Sequence, residues 1–211
     1  MLVLLVHGLG RTPLSLFGLA PALRRAGHHT RFFGYSPTLE PLPRIVRRLV
    51  GRLRAFARSG RPVGLVGHSL GGLLLRGALP EVPELRVHHL VMLGTPNRPP
   101  RLARWAWRRP LFRFLSRDCG RFLACPDSIP RLPIPTAPYT LIAGTAGPQF
   151  GLFSGEPNDG IVAVSEVPVR DADPVQLFPV WHTVMMNSER VKRAVVVAMM
   201  TGKGETTATG G

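Results

Sequence analysis

Acidic residues are scarce in this chain: 12 Asp and Glu stand against 27 Lys and Arg, and lysine itself is nearly missing. The formal charge of +15 favours anionic surfaces such as phospholipid, nucleic acid or acidic polymer. The arginines are scattered over many segments, however, as a compositional bias toward arginine and proline would scatter them. Contact with an anionic membrane surface therefore stays open, and a nucleic-acid partner is not expected. Cysteine is also rare. Cys119 and Cys125 are too few for a disulfide framework and have no metal-ligand spacing around them. They are close enough in sequence to pair, but without a secretion signal they read as free thiols. No apolar run approaches the roughly 20 residues of a membrane span. The opening "MLVLLV" lacks a basic n-region and is cut short by "HGLG", so it reads as a strand and not as an export signal. The expected location is cytoplasmic, with a membrane-peripheral one as the alternative.

What the chain does have is alternation. Continuous apolar runs separated by helical patterns predict an α/β fold with a mostly parallel sheet and helices on both faces. Expected strands are Leu2–Val6, Thr30–Tyr35, Pro62–Val66, Val87–Leu93 and Tyr139–Ala143, with Gln176–Val180 as a sixth weakened by Pro179. Expected helices are Leu14–Ala26, Arg44–Arg58, Ser69–Leu79 and Ser188–Met200, with a flexible tail from about 201 to 211. At 211 residues one domain is the economical organisation, and no internal repeat divides it. Between about 97 and 138 the alternation fails. That segment carries Trp105, Trp107, Phe112 and Phe114 among arginines, then a proline-rich run. Its length predicts a cap or lid inserted between two core strands. Such a cap either covers the sheet edge or walls an apolar pocket.

The pentapeptide Gly67–Gly71, "GHSLG", follows a predicted strand and opens a predicted helix. That is the context in which G-x-S-x-G holds a serine nucleophile at a strained corner. Glycine two positions to either side lets strand and helix approach without a Cβ clash. A serine hydroxyl is a poor nucleophile and requires a base, with a third group to orient that base. Elimination among the seven histidines leaves His182. His7 ends the first strand, His68 lies inside the turn, His28 and His29 enter an early strand, and His88 and His89 begin strand four. Catalytic groups of a parallel sheet gather at strand C-termini. His182 precedes the last helix, where it serves either as this base or as a structural residue under that helix. Asp159, ahead of a turn-forming Gly160, leads the candidate acids over Asp171, Asp173 and Asp127. The backbone N–H groups of Leu9 and Leu70 are the candidate oxyanion donors. Phe17, Trp105, Trp107 and Phe112 are candidate substrate-pocket residues.

Together "VHGLG", "GHSLGG", "LGTPN", "NDGIV" and "HTVMMNSERV" resemble the lipase and esterase branch of the α/β-hydrolases over nearly the whole chain. Starting at its "HG" strand, the chain is similar to the compact bacterial lipases. The resemblance implies an α/β-hydrolase fold with Ser69 acylated, His182 moving the proton and Asp159 orienting the imidazole, without metal or cofactor. It implies a small-molecule or lipid ester as substrate and no obligate protein partner. The arginine- and tryptophan-rich insertion departs from the smallest lipases, leaving lipase and esterase both open. An acyltransferase, a thioesterase or a non-catalytic binding homologue would use the same scaffold.

Overall fold

Six strands form one parallel sheet in a computed structural model that describes residues 1–153 and 155–201. The strands are β1 (Leu2–Val6), β2 (His29–Phe33), β3 (Val63–His68), β4 (Val87–Leu93), β5 (Tyr139–Gly144) and β6 (Val175–Phe178). Their order is β2-β1-β3-β4-β5-β6. β6 stops at Phe178, directly before Pro179, which has no N–H to give to a ladder. The predicted tail, beyond Thr201, lies outside the described residues.

Helices cover both faces, and β1 shows how its sequence divides between them. Leu4 and Val6 pack with Ile45, Leu49 and Leu53 of α2 (Leu42–Ala57) and with Leu73 of α3 (Leu70–Ala78). Val3 and Leu5 point the other way, into a cluster with Leu23 of α1 (Ala20–Arg25) and Val191 and Val195 of α6 (Glu189–Thr201). A period of two in the strand thus feeds two cores. The single helix expected over 14–26 is two pieces, a 3-10 turn at Pro13–Leu16 and then α1, whose first turn contains Pro21. Proline is suited to that position and so starts the helix there instead of breaking it.

The 97–138 segment contains α4 (Arg101–Ala106) and α5 (Pro110–Ala124), with Cys119, Leu123 and Ile129 packed into the α2–α3 core. Inside α5, Arg117 has φ 42° and ψ −127°, which kinks the helix. Both cysteines are free, and burial pushes the Cys119 thiol up to about 12.

Candidate functional site

The strand order reverses direction at β1: the chain steps outward to β2, then returns past β1 to β3 and onward. Loops leaving β1 and β3 therefore diverge and open a crevice at the C-terminal ends of those strands. Ser69 follows β3, and Gly8 and Leu9 follow β1. The crevice is a cavity of about 640 Å³ that Ser69, His182, Leu9 and Phe112 all help to line.

Ser69 has φ 53° and ψ −123°, a left-handed conformation that side chains rarely adopt. Its N–H is held by the carbonyl of Leu93 at 2.8 Å and its carbonyl accepts from Gly72 at 3.0 Å. The flanking glycines are sterically required. A Cβ at Gly71 would stand 2.3 Å from the Val6 carbonyl oxygen, and one at Gly67 would stand 2.4 Å from the Gly72 nitrogen. One at Gly8 would press on the Ser69 Cβ at 3.0 Å. Among the described residues the Ser69 hydroxyl makes no hydrogen bond of its own.

Asp159 and His182 meet from loops after β5 and β6. His182 Nδ1–H donates to Asp159 Oδ2 at 2.7 Å, and its backbone N–H donates to the Asp159 carbonyl at 2.9 Å. Both side chains are buried. With the proton on Nδ1, Nε2 carries the lone pair and can act as a base. The other carboxylate oxygen of Asp159 accepts from the N–H groups of Ile161 and Val162, at 3.0 and 2.7 Å. Gly160, at φ 91°, makes that tight turn possible. Asp173, a competing candidate, instead accepts from Tyr139 at 2.8 and 2.9 Å, and Asp171 pairs with Arg98 at the surface.

Two further histidines brace the site. The His68 ring lies 4.7 Å from that of His182, and its Nε2–H donates to the His182 carbonyl at 3.1 Å. Burial, reinforced by the neighbouring His182 ring, holds His68 well below the ordinary histidine range. His7 stacks on Tyr35 at 4.2 Å and accepts from the Tyr35 N–H, while the Tyr35 hydroxyl donates to the His7 carbonyl at 3.0 Å. This double tie steadies the turn that carries Leu9. Neither Leu9 N–H nor Leu70 N–H is spent on a turn or loop bond among the described residues.

Of the four candidate pocket aromatics, only Phe112 lines the cavity. Leu102, Ala103 and Ala106 supply the cavity-facing side of α4, which turns Trp105 and Trp107 to either side of it. Trp105 is half exposed beneath Arg109, and Trp107 lies beside Arg113. Phe17 packs on Phe32, away from the cavity. Sequence reading also missed the tie between the 97–138 segment and the Asp159 loop. Buried Glu166 accepts from the Arg101 N–H at 2.9 Å and from Arg101 Nε at 3.0 Å, and Arg101 also pairs with Glu156. Among the described residues no His, Cys, Asp and Glu group is arranged to hold a metal ion.

The model of the alpha/beta hydrolase family matches residues 3–206. Among solved structures, the mature Bacillus licheniformis lipase BlEst2 superposes with a TM-score of 0.74 at 21% identity, covering 93% of this chain and 91% of that one. The metagenome-derived lipolytic enzymes LipS and LipT give a TM-score of 0.64 at 15% identity, with 94% and 93% covered. Legionella pneumophila phospholipase PlaB gives 0.63 at 15% identity, covering 80% of this chain but 46% of that one. No curated protein sequence matches the chain. At these identities the likeness is one of fold.

Proposed function

We propose that this chain, which belongs to the alpha/beta hydrolase family, is a serine hydrolase that cleaves carboxylic esters through an acyl-enzyme on Ser69. The observation that carries the reading is the 2.7 Å bond between buried Asp159 and His182, which lines the same cavity as Ser69. In the proposed reaction His182 Nε2 takes the Ser69 proton as Oγ attacks the ester carbonyl. The charge on the tetrahedral oxygen is met by the N–H groups of Leu9 and Leu70. Collapse breaks the bond to the alcohol oxygen, which receives the proton from His182. Water then repeats the sequence and releases the acid.

The cavity lining favours an acyl group of some length, since Leu9, Leu102, Phe112, Leu115, Leu123 and Ile161 all face it. The 97–138 segment acts as a cap over this pocket in the proposal. Its outer side exposes Trp105, Leu111 and Phe114 among arginines, which suits peripheral contact with an anionic bilayer. No described helix is long and apolar enough to cross a membrane.

The test is a fluorophosphonate label with mass mapping, run beside a series of p-nitrophenyl esters from C2 to C16. The expected results are an adduct on Ser69, turnover of medium or long acyl esters, and a loss of about 10³-fold or more in Ser69→Ala. An adduct on another residue, or a Ser69→Ala variant that keeps its rate, overturns the assignment.

A further inference from the structure

The cavity around Ser69 has one formally charged side chain among its lining residues apart from the histidines, and it is Arg11. The turn that follows β1 returns it toward the site: Arg11 N–H donates to the Gly8 carbonyl at 3.3 Å, with Gly10 at φ 65°. Arg11 Nη2 then donates to the carbonyl of Thr183 at 3.0 Å. That is the guanidinium's single protein hydrogen bond among the described residues, and no carboxylate there pairs with it. Other arginines that are not fully exposed are provided for. Arg101 has Glu156 and Glu166, and buried Arg76 has Asn97 with the carbonyls of Leu132 and Pro133.

A solvent-accessible guanidinium lining the cavity, with most of its fork unspent on protein groups, is a recognition group for an oxyanion. Its position says which half of a substrate would carry that group. Thr183 directly follows His182, and in the proposed reaction His182 delivers the proton to the leaving alcohol. Arg11 therefore borders the alcohol side of the scissile bond, while the apolar wall from α4 and α5 receives the acyl side. The charge of Arg11 also reaches the machinery, where it further disfavours a protonated His68.

We infer that Arg11 is a specificity-determining residue that binds an oxyanion, phosphate or carboxylate, on the alcohol half of the ester. The inference rests on the ester-hydrolase reading. The substrate class is then an acylated anionic alcohol, in which one end of the molecule is apolar and the other carries negative charge close to the ester.

The experiment compares kcat/KM for the octanoyl esters of glycerol, glycerol 3-phosphate and glycerate, below their aggregation limits. Wild type is expected to prefer one or both anionic esters over the glycerol ester. Arg11→Gln is expected to lower that ratio by about tenfold or more, as loss of a charge-assisted bond does, and Arg11→Lys to restore much of it. Arg47→Gln removes the same charge from the exposed face of α2 and is expected to hold the wild-type ratio. No anionic preference in wild type overturns the inference. So does an Arg11→Gln variant that slows all three esters equally, as a mere bridge to Thr183 would, or an equal fall of the ratio in Arg47→Gln. Absence of turnover on every ester, with no fluorophosphonate adduct on Ser69, instead overturns the hydrolase reading beneath it.

Discussion

Ser69 carries two opposed demands, and they can be separated by substitution. Its hydroxyl lines the cavity at a corner that requires φ 53°, where any side chain bears strain on the order of 1–3 kcal/mol. The side chain repays none of this locally, since it makes no capping bond to the helix it precedes. Glycine would relieve the strain at the cost of a more flexible unfolded chain. Ser69→Gly is therefore expected to be inactive yet more stable than Ser69→Ala by about 1 kcal/mol, both variants lacking the hydroxyl. Urea denaturation of the two decides it: a lower midpoint for the glycine variant removes the strain argument.

At the level of elements, one ion-pair cluster couples the 97–138 segment to the Asp159 loop. Arg101 opens α4, and its carboxylate partner Glu166 lies 65 residues further along, on the loop that follows Asp159. Arg101→Met leaves Glu166 buried with only backbone donors from Arg101 and Ala163. The expected cost is about 1–3 kcal/mol, because an uncompensated carboxylate is left behind although Arg101 itself is partly solvated. Amide exchange should quicken across 156–167 and ester turnover should fall with it; protection there equal to wild type rules the coupling out. This contact also marks what a sequence can disclose. Strands buried on both faces read as continuous apolar runs, and Ser69, Asp159 and His182 fall in an order and at strand ends that chemistry demands. The Arg101–Glu166 pair has no such signature, because any arginine of an arginine-rich chain could have been the partner. The same holds for the inner face of α4. The two tryptophans have the size of pocket walls, but Ala106 between them and Ala103 one turn earlier face the cavity, and the helix's rotation about its axis is set by packing that no local pattern records. The 14–26 segment departs from its expected helix for a similar reason: its apolar spacing is helical, while Leu16 and Leu19 are buried through a turn and not a continuous helix.

Across the whole molecule, pH acts first through buried histidines and then through the charged surface. Burial holds His7 and His68 below the ordinary histidine value in the folded state. The unfolded chain therefore binds protons that the folded chain refuses, starting near pH 6.5. Their contribution is fully present above that value and is lost as pH falls toward the depressed folded values. The loss is on the order of 1 kcal/mol per histidine per pH unit. Unfolding free energy should thus drop between pH 7.5 and 5.5, above the window in which Glu40 and Glu156 begin to titrate; against burial, Arg48 holds Glu40 below the usual carboxylate range, and Ser165 with Arg101 does so for Glu156. A flat profile there would mean that these rings are not held neutral. The surface makes a separate demand. Residues 98–117 contain seven arginines and no acid, and only Arg98 and Arg101 are spent on carboxylates among the described residues. The rest surround exposed Trp105, Leu111, Phe114 and Leu115. Leu39 stands next to them, because the neighbouring Thr38 hydroxyl donates to the Leu115 carbonyl at 2.6 Å. Apolar anchors inside a cationic field should hold the protein to an anionic bilayer, with each arginine near the surface adding about 1 kcal/mol at low salt. Co-sedimentation with phosphatidylglycerol vesicles is expected to be strong at low salt and to fall steeply as salt rises, with little binding to phosphatidylcholine alone. Phe114→Glu should weaken it by removing an anchor and adding a repelled charge, whereas Arg47→Gln on α2 should not. Equal binding to both lipids, or equal loss in the two variants, would assign the attraction to net charge and leave this face without a special role.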